Sequence, residues 1–174
     1  MTINFTPDGI VVAIACAVAN YYITTLGIWL GHFLPHRPES RLRSFHMDGH
    51  HRLYRDSAHT RSRRFRYGHG REDSLVPLAP WIVLVIVAQW AIFPLAAALL
   101  YCTEVILIVI AASISHGQFH LEKPLLQRYD WFRRARSAHD LHHDADVNFM
   151  VVDHFWDRCF GTYQETPNGS GAPN

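Results

Sequence analysis

The chain has 174 residues, the length of one domain, and a formal net charge of +1 that says little because the charges are segregated along the sequence. Its three cysteines, Cys16, Cys102 and Cys159, are scattered and odd in number, so they exclude a disulfide framework and a C-x-x-C site. The sequence contains no Gly-rich phosphate loop and no G-x-S-x-G motif, which excludes those two catalytic patterns.

The first apolar stretch, residues 10–30, predicts a membrane-spanning helix. It is mostly apolar and carries no charged residue, and about twenty such residues suffice to cross a hydrocarbon core of about 30 Å. A secretory signal is the alternative. No basic region precedes the stretch, however, and no cleavage-like site lies ahead of the first histidines.

A second apolar region, residues 75–115, is long enough for two crossings. Pro94 lies near its middle, and proline lacks the N–H donor that a helix interior needs. We therefore expect a hairpin of two helices over residues 77–93 and 95–115, with a re-entrant pair as the alternative. Together with the first stretch, this region predicts an all-α integral membrane protein with about three transmembrane helices.

Four histidine clusters follow the apolar stretches and indicate a dimetal site. Their spacings place side chains on one face of a helix, and neutral imidazole is the commonest protein ligand for a transition metal. Ten nitrogen ligands exceed what one ion can use, so we predict two metals, iron by preference with zinc as a substitute after purification. The ten residues are His32, His36, His46, His50, His51, His116, His120, His139, His142 and His143.

The four boxes read H-x3-H, H-x3-H-H, H-x3-H and H-x2-H-H, and N-F-M-V-V-D-H-F-W-D-R-C-F-G-T-Y follows at residues 148–163. Over residues 32–163 this pattern resembles the fatty acid hydroxylase and sterol desaturase superfamily, the membrane histidine-box di-iron oxygenases. The second box has three residues between His46 and His50 where that family usually has two, and Met150 stands where a glycine is usual. These departures leave the subfamily and the substrate open.

The resemblance implies an O2-dependent non-haem di-iron oxidoreductase that hydroxylates or desaturates a lipid-like or otherwise hydrophobic substrate. Its electrons would come from a separate reductase or ferredoxin, because nothing in the sequence resembles a haem, flavin or iron–sulfur site. A carotenoid-ring hydroxylase is an alternative within this class. A non-catalytic metal-binding or metal-transport membrane protein is the alternative from another class, and a zinc hydrolase is disfavoured by the lack of H-E-x-x-H.

The count of crossings predicts the side of the membrane on which the boxes lie. One helix precedes the first two boxes, and two helices separate these from the last two boxes, so all four boxes are expected on the same side of the membrane. All sixteen Lys and Arg residues lie in the histidine-bearing segments, so the positive-inside rule predicts a cytosolic helical cap with the active site on the cytoplasmic face. Residues 1–166 are expected to form one domain, with a disordered tail at 167–174. Three crossings make a thin wall around an acyl chain, which favours a homodimer or a small substrate.

An arginine-rich segment with interleaved aromatic residues, residues 52–71, lies between the second box and the apolar hairpin. Beside a membrane helix such a segment favours anionic headgroups. Docking of an acidic electron donor is the next alternative, and nucleic-acid binding the last. His59 and His69 in this segment, and His154 outside the box spacing, are not expected to be ligands, although His59 could be recruited.

Several polar residues adjoin the expected ligands. A ligating imidazole usually donates its second N–H to a carboxylate or carbonyl, so this role is assigned to Asp48, Asp140, Asp144, Asn148 and Asp153, with helix caps, turns or solvated charges as equal alternatives. Trp156, Asp157 and Gly161 are expected to serve packing and turns. Asn20 and Glu104 each precede a histidine box by twelve residues, so we predict that they lie at similar depth, either hydrogen-bonded together or at the blind end of a substrate channel.

Overall fold

The computed structural model describes residues 6–66 and 75–166, and within these ranges the regular structure is helical apart from one isolated bridge between Ser62 and Leu121. The all-α prediction is confirmed for this part of the chain. The predicted tail, residues 167–174, and His69 lie outside the described residues. In chain order the helices are α1 (Pro7–His36), α2 (Arg43–Phe45), a π-helix (His46–His51), a 3-10 turn (Ser57–His59), α3 (Leu75–Ile92), α4 (Leu95–Phe119), α5 (Asp130–Asp144) and α6 (Phe155–Cys159).

The first long helix, α1, carries the first histidine pair in its last two turns. It begins at Pro7, where a missing N–H costs nothing, and the Thr6 hydroxyl caps it by accepting a hydrogen bond from the Gly9 amide. The helix continues past the expected end at residue 30 and ends at His36. His32 and His36 therefore project from the membrane helix itself, one turn apart.

The predicted hairpin is present, and its break lies at Pro94, the residue that caps α4. Helix α4 also runs further than expected, to Phe119, so that it carries His116 and is capped by His120. Among the described residues, α1 and α4 are long and apolar enough to cross a membrane, whereas α3 is apolar but shorter, with 18 residues. Length and composition thus support two of the three expected crossings.

A polar cluster lies inside the bundle that α1, α3 and α4 form. The Asn20 amide nitrogen donates to the Glu104 carboxylate at 2.8 Å, so the predicted hydrogen bond between these residues is confirmed. Gln89 of α3 donates to the Asn20 amide oxygen at 2.6 Å, a partner that the sequence did not indicate. Because buried polar groups in an apolar environment need partners, these bonds fix the register of the three helices.

The segment around Ser62 and helix α5 are held against the end of α4 by backbone and arginine contacts. The Ser62 amide donates to the His120 carbonyl at 2.9 Å, and the Glu122 amide donates to the Ser62 carbonyl at 3.0 Å. The buried Arg136 side chain of α5 donates to the Phe119 carbonyl at 3.0 Å. Through these contacts the loop before α3 and helix α5 are both held against the histidine-bearing end of α4.

Candidate metal centre

The four histidine boxes converge at the carboxyl-terminal ends of α1 and α4. His50 of the π-helix lies with its ring centroid 4.6 Å from that of His116 on α4. The rings of His36 on α1 and His142 on α5 are 4.7 Å apart. Every one of the ten histidines is buried, so segments far apart in sequence form one interior cluster.

The cluster divides into two groups of four. In each group one nitrogen atom from every residue lies within 4.8 Å of the others, close to the spacing of about 4 Å that two ligands on opposite sides of one ion would have. His32 adjoins the first group, with its ring 5.0 Å from that of His46. His116 adjoins the second. The groups are His36, His46, His51 and His142, and His50, His120, His139 and His143.

The π-helix explains the extra residue in the second box. A π-helix closes its turn at i→i+5, so residues five apart lie on the same face. His46 and His51 have this spacing and belong to the first group, whereas His50 between them faces the second. In an α-helix the same three residues could not be divided in this way, because i and i+5 do not share a face.

Helix α5 divides its histidines by the ordinary α-helical rule. His139 and His143 are four residues apart and lie in the second group, and His142 points into the first. The two groups touch where the rings of His51 and His143 stack, with centroids 4.3 Å apart. Two ions held by these groups would therefore be neighbours.

The outward nitrogens of several rings are held by hydrogen bonds, which fixes the direction of the inward nitrogens. The Nδ1 atoms of His120 and His142 lie 3.0 and 2.9 Å from the carbonyl oxygens of Thr60 and Val147. His32 Nδ1 lies 3.2 Å from a carbonyl one turn back in α1. An Nδ1–H that donates outward leaves Nε2 as a lone-pair ligand.

The inward nitrogens fit metal ligation. The Nε2 atoms of His32, His36, His46 and His50 are buried without a hydrogen-bond partner in the part of the chain that the structure describes. Burial lowers the pKa of His120 to about 3, and it lowers the pKa of His46, His50 and His139 well below the usual value. The rings are therefore neutral at pH 7, the form that binds a metal.

A profile of the fatty acid hydroxylase family matches residues 17–162, a range that includes all ten histidines predicted to be metal ligands. The chain belongs to the fatty acid hydroxylase family. Members of this family, which is part of the fatty acid hydroxylase and sterol desaturase superfamily, are membrane hydroxylases and desaturases with a histidine-rich metal site. The resemblance seen in the sequence is confirmed. No curated protein and no solved structure matches the chain significantly.

One carboxylate that pairs with a histidine of the two groups was not indicated by the sequence analysis. Asp146 accepts a hydrogen bond from His36 Nδ1 at 2.7 Å. It lies just after α5, where the chain turns in extended backbone towards α1. Asp144 was assigned this role because it directly follows His143, but the carboxylate that bonds to His36 is Asp146, two residues further on.

The other residues assigned to support the imidazoles have different contacts. Asp140 pairs with Arg61, and Asp153 accepts from the Tyr21 hydroxyl. Asp48 is exposed in the π-helix. Asn148 is buried in the left-handed region (φ 53°), and its amide bonds to the backbone of residues 138 and 164. Adjacency in sequence does not fix the direction of a side chain, which explains these differences.

The segment of residues 148–163, the closing segment, is organised by Asp157, which was expected to serve packing or a turn. Its buried carboxylate accepts hydrogen bonds from the amides of Phe149 and Met150 at 2.9 and 3.0 Å and from the Trp29 indole at 3.1 Å. The Phe149 ring lies 5.3 Å from that of His142. Asp157 therefore positions the wall of the first histidine group.

Burial raises the pKa of Asp157, but hydrogen bonds from His154, Thr162 and two backbone amides outweigh it, so the pKa stays below its usual value. His154 is thus engaged with Asp157 rather than with either group, and His59 pairs with Asp56 on the surface. Neither belongs to the two groups of ligating nitrogens in the described ranges.

An apolar pocket adjoins the two histidine groups on the side where α1, α3 and α4 pack together. His32 and His116, one from each half of the centre, reach its wall, and the rest of the lining is almost entirely apolar. A hydrophobic group in this pocket would meet both halves of the centre. The lining residues are Ile28, His32, Leu78, Val109, Ala112, Ser113, His116 and Val151.

Proposed function

We propose that this chain is a membrane-bound di-iron oxygenase that uses O2 to hydroxylate or desaturate a lipid-like or hydrophobic substrate. The observation that carries the proposal is the division of eight buried histidines into two adjoining groups whose nitrogens lie within 4.8 Å of one another. Two more histidines border these groups at the wall of an apolar pocket. A structural histidine cluster would need no such pocket.

Each histidine group would hold one iron, with zinc as the ion that replaces it after purification. When bound, the metal pair supplies dioxygen activation and hydrogen abstraction from an unactivated C–H bond. The protein holds the imidazoles neutral and orients them through their outward nitrogens. His36 depends on Asp146 for this orientation, and His120 and His142 depend on backbone carbonyls.

The substrate would enter the apolar pocket from the membrane. Its lining is supplied by α1, α3 and α4 together with Val151 of the closing segment, so water has little polar surface to occupy there. The electrons would come from a separate reductase or ferredoxin. A second copy of the chain would thicken the wall around an acyl chain, which is the reason to expect a homodimer.

The proposed topology has three crossings, α1, α3 and α4, with the metal centre in a cytosolic helical cap. The bonds between Asn20, Gln89 and Glu104 support the placement of α3 beside the two longer helices. With α3 in the membrane, all four boxes lie on one side. The arginine distribution supports a cytoplasmic location for that side.

Metal analysis of the full chain purified in detergent from iron-rich medium tests the proposal. We expect two metal ions per chain, a strong loss in His46→Ala, and no loss in the matched control His154→Ala, because only His46 lies in a ligating group. The iron-loaded protein, a reductase and isotopically labelled dioxygen should give labelled product from a hydrophobic substrate. Metal bound without any oxidised product would favour a non-catalytic metal-binding protein instead.

A further inference from the structure

Two cavities lie along the interface of α1 and α3, at different depths. The pocket beside the metal centre has a volume of about 20 Å³, room for about one water-sized group. A larger groove of about 330 Å³ lies deeper in the bundle. Its lining is mostly apolar and includes Asn20 and Gln89 of the polar cluster. The groove is bounded by Cys16, Ala19, Asn20, Ile23, Trp81, Leu84, Val85, Ala88, Gln89, Ile92, Phe93 and Tyr101.

The Trp81 side chain of α3 stands between these two spaces. It lines the deeper groove, and it also packs against the apolar core cluster whose members Ile28, Leu78 and Ala112 line the pocket beside the metal centre. The indole therefore lies between the deep groove and the side chains that form the wall of that pocket. No other residue of the described ranges that lines the deep groove also packs against that cluster.

The position of the indole is fixed by a glycine and a hydrogen bond. A Cβ atom on Gly27 of α1 would lie 2.0 Å from Trp81 Cδ1, so the ring occupies the space that a side chain at residue 27 would fill. The indole N–H donates to the Ile23 carbonyl at 2.9 Å. Trp81 is thus seated across α1 at the level of Gly27, and an ordinary residue at that position would displace it.

We propose that Trp81 is a specificity-determining residue that closes the deep end of the substrate pocket and so limits the length of hydrophobic chain that can extend past the metal centre. The proposal rests on the proposed function of the pocket. Five residues separate Gly27 from His32, or about 7.5 Å along α1, whereas twelve residues separate Asn20 from His32, or about 18 Å. Removing the indole would join the two cavities and extend the available depth by about 10 Å to the level of Asn20, and further towards Cys16.

The occupant of the extended pocket would be an unbranched apolar chain. The walls between Trp81 and the polar cluster are aliphatic, with Leu84, Val85 and Ala88 on the α3 side. Asn20 and Gln89 bond to each other, and the groove continues past them to Cys16 and Phe93. The wild-type protein, by contrast, would accept only the end of a chain or a compact group beside the metals.

Cys16 provides a built-in reporter because it lines the deep groove and is only partly buried. Its alkylation by N-ethylmaleimide can be measured by peptide mass spectrometry on the detergent-solubilised full chain, with exposed Cys159 as the internal reference. Saturated fatty acids from octanoic to stearic acid serve as probes. This measurement requires neither metal nor turnover.

In the wild type, we expect Cys16 to be alkylated at the same rate in the presence of long-chain fatty acids as in the presence of octanoic acid. In Trp81→Ala, long-chain fatty acids should slow the alkylation of Cys16 by at least about tenfold, because several additional methylene groups would be buried in the joined cavity. Trp90→Ala, the same substitution at a half-exposed tryptophan of the same helix, should behave like the wild type. If Trp81→Ala does not fold, Trp81→Leu opens the same passage by a smaller change.

Equal protection of Cys16 in the wild type and the Trp81 variants would show that the groove fills from the lipid side without passing Trp81, and would overturn the proposal. In the active enzyme, Trp81→Ala should raise the ratio of long-chain to short-chain product by at least about tenfold. An unchanged ratio would also overturn it. A protein that oxidises nothing yet shows the length-dependent protection would refute the proposed function alone.

Discussion

Removing the Asp146 carboxylate should weaken metal binding in the first histidine group. Asp146 accepts from His36 Nδ1 at 2.7 Å, and in Asp146→Ala the imidazole loses the contact that orients it. A hydrogen bond to a buried charged group contributes about 1.5–3 kcal/mol. The Asp146 side chain is 75% exposed, however, so solvent screening reduces this to about 1 kcal/mol. A tenfold change in affinity corresponds to about 1.4 kcal/mol, so the expected loss of affinity is about fivefold, just below the range of about 10- to 100-fold usual for such partners.

Competition of the loaded protein with a chelator measures this loss. One of the two metal ions should be released more easily from Asp146→Ala, because His36 belongs to the first group only. Asp144→Ala is the matched control, since it removes the same charge two residues away from an exposed position. Asp146→Asn, which keeps an acceptor oxygen, should fall between the two. If Asp144→Ala weakened binding as much as Asp146→Ala, general electrostatics rather than orientation of His36 would be responsible.

Three further outcomes are expected. Asp157→Asn sets an amide group against the Met150 N–H and should lower the free energy of unfolding by about 2–4 kcal/mol, read as a lower melting temperature in detergent. The pKa of Asp157 is lower in the folded state than in the unfolded state, where it is about 4. This stabilisation is therefore present above the unfolded pKa and is lost as the pH falls through the folded pKa, so the melting temperature of the variant should depend less on acid pH than that of the wild type. Glu104→Leu should destabilise the bundle by about 1–3 kcal/mol because Asn20 loses an acceptor, whereas Glu104→Gln, which keeps one, should not; equal melting of the two would contradict this. Single cysteines labelled in intact cells should place the turn at Pro94 outside the cytoplasm and the histidine boxes inside it, and the reverse pattern would remove the basis of the proposed topology.

The helix ends show how far local pattern can predict this fold. Pro94 marked the hairpin because a proline ends a helix for local reasons. The ends of α1 and α4 lay further on than hydropathy suggested, at His36 and Phe119. Buried histidines continue these helices beyond the apolar run, and hydropathy counts them as polar.

The support around the centre was harder to predict than the histidines themselves. Asp146 contacts His36 across more than a hundred residues, and Asp157 bonds to Trp29 of α1. A candidate carboxylate can be found near any box, but its partner depends on the path of the turn between α5 and the closing segment. The π-helix had a trace in the sequence, the extra residue between His46 and His50, which becomes interpretable only once the two groups are known.

The sequence by itself determined the family, the four histidine boxes, the apolar segments and the expectation that the boxes share one side of the membrane. These properties follow from residue type and spacing over a few turns of helix, which chain geometry fixes locally. The tertiary structure alone decided which histidines face which group, which carboxylate supports His36, and that Trp81 rests on Gly27 between two cavities. Each of these depends on where distant helices meet, and such contacts follow from packing of the whole bundle rather than from any one segment.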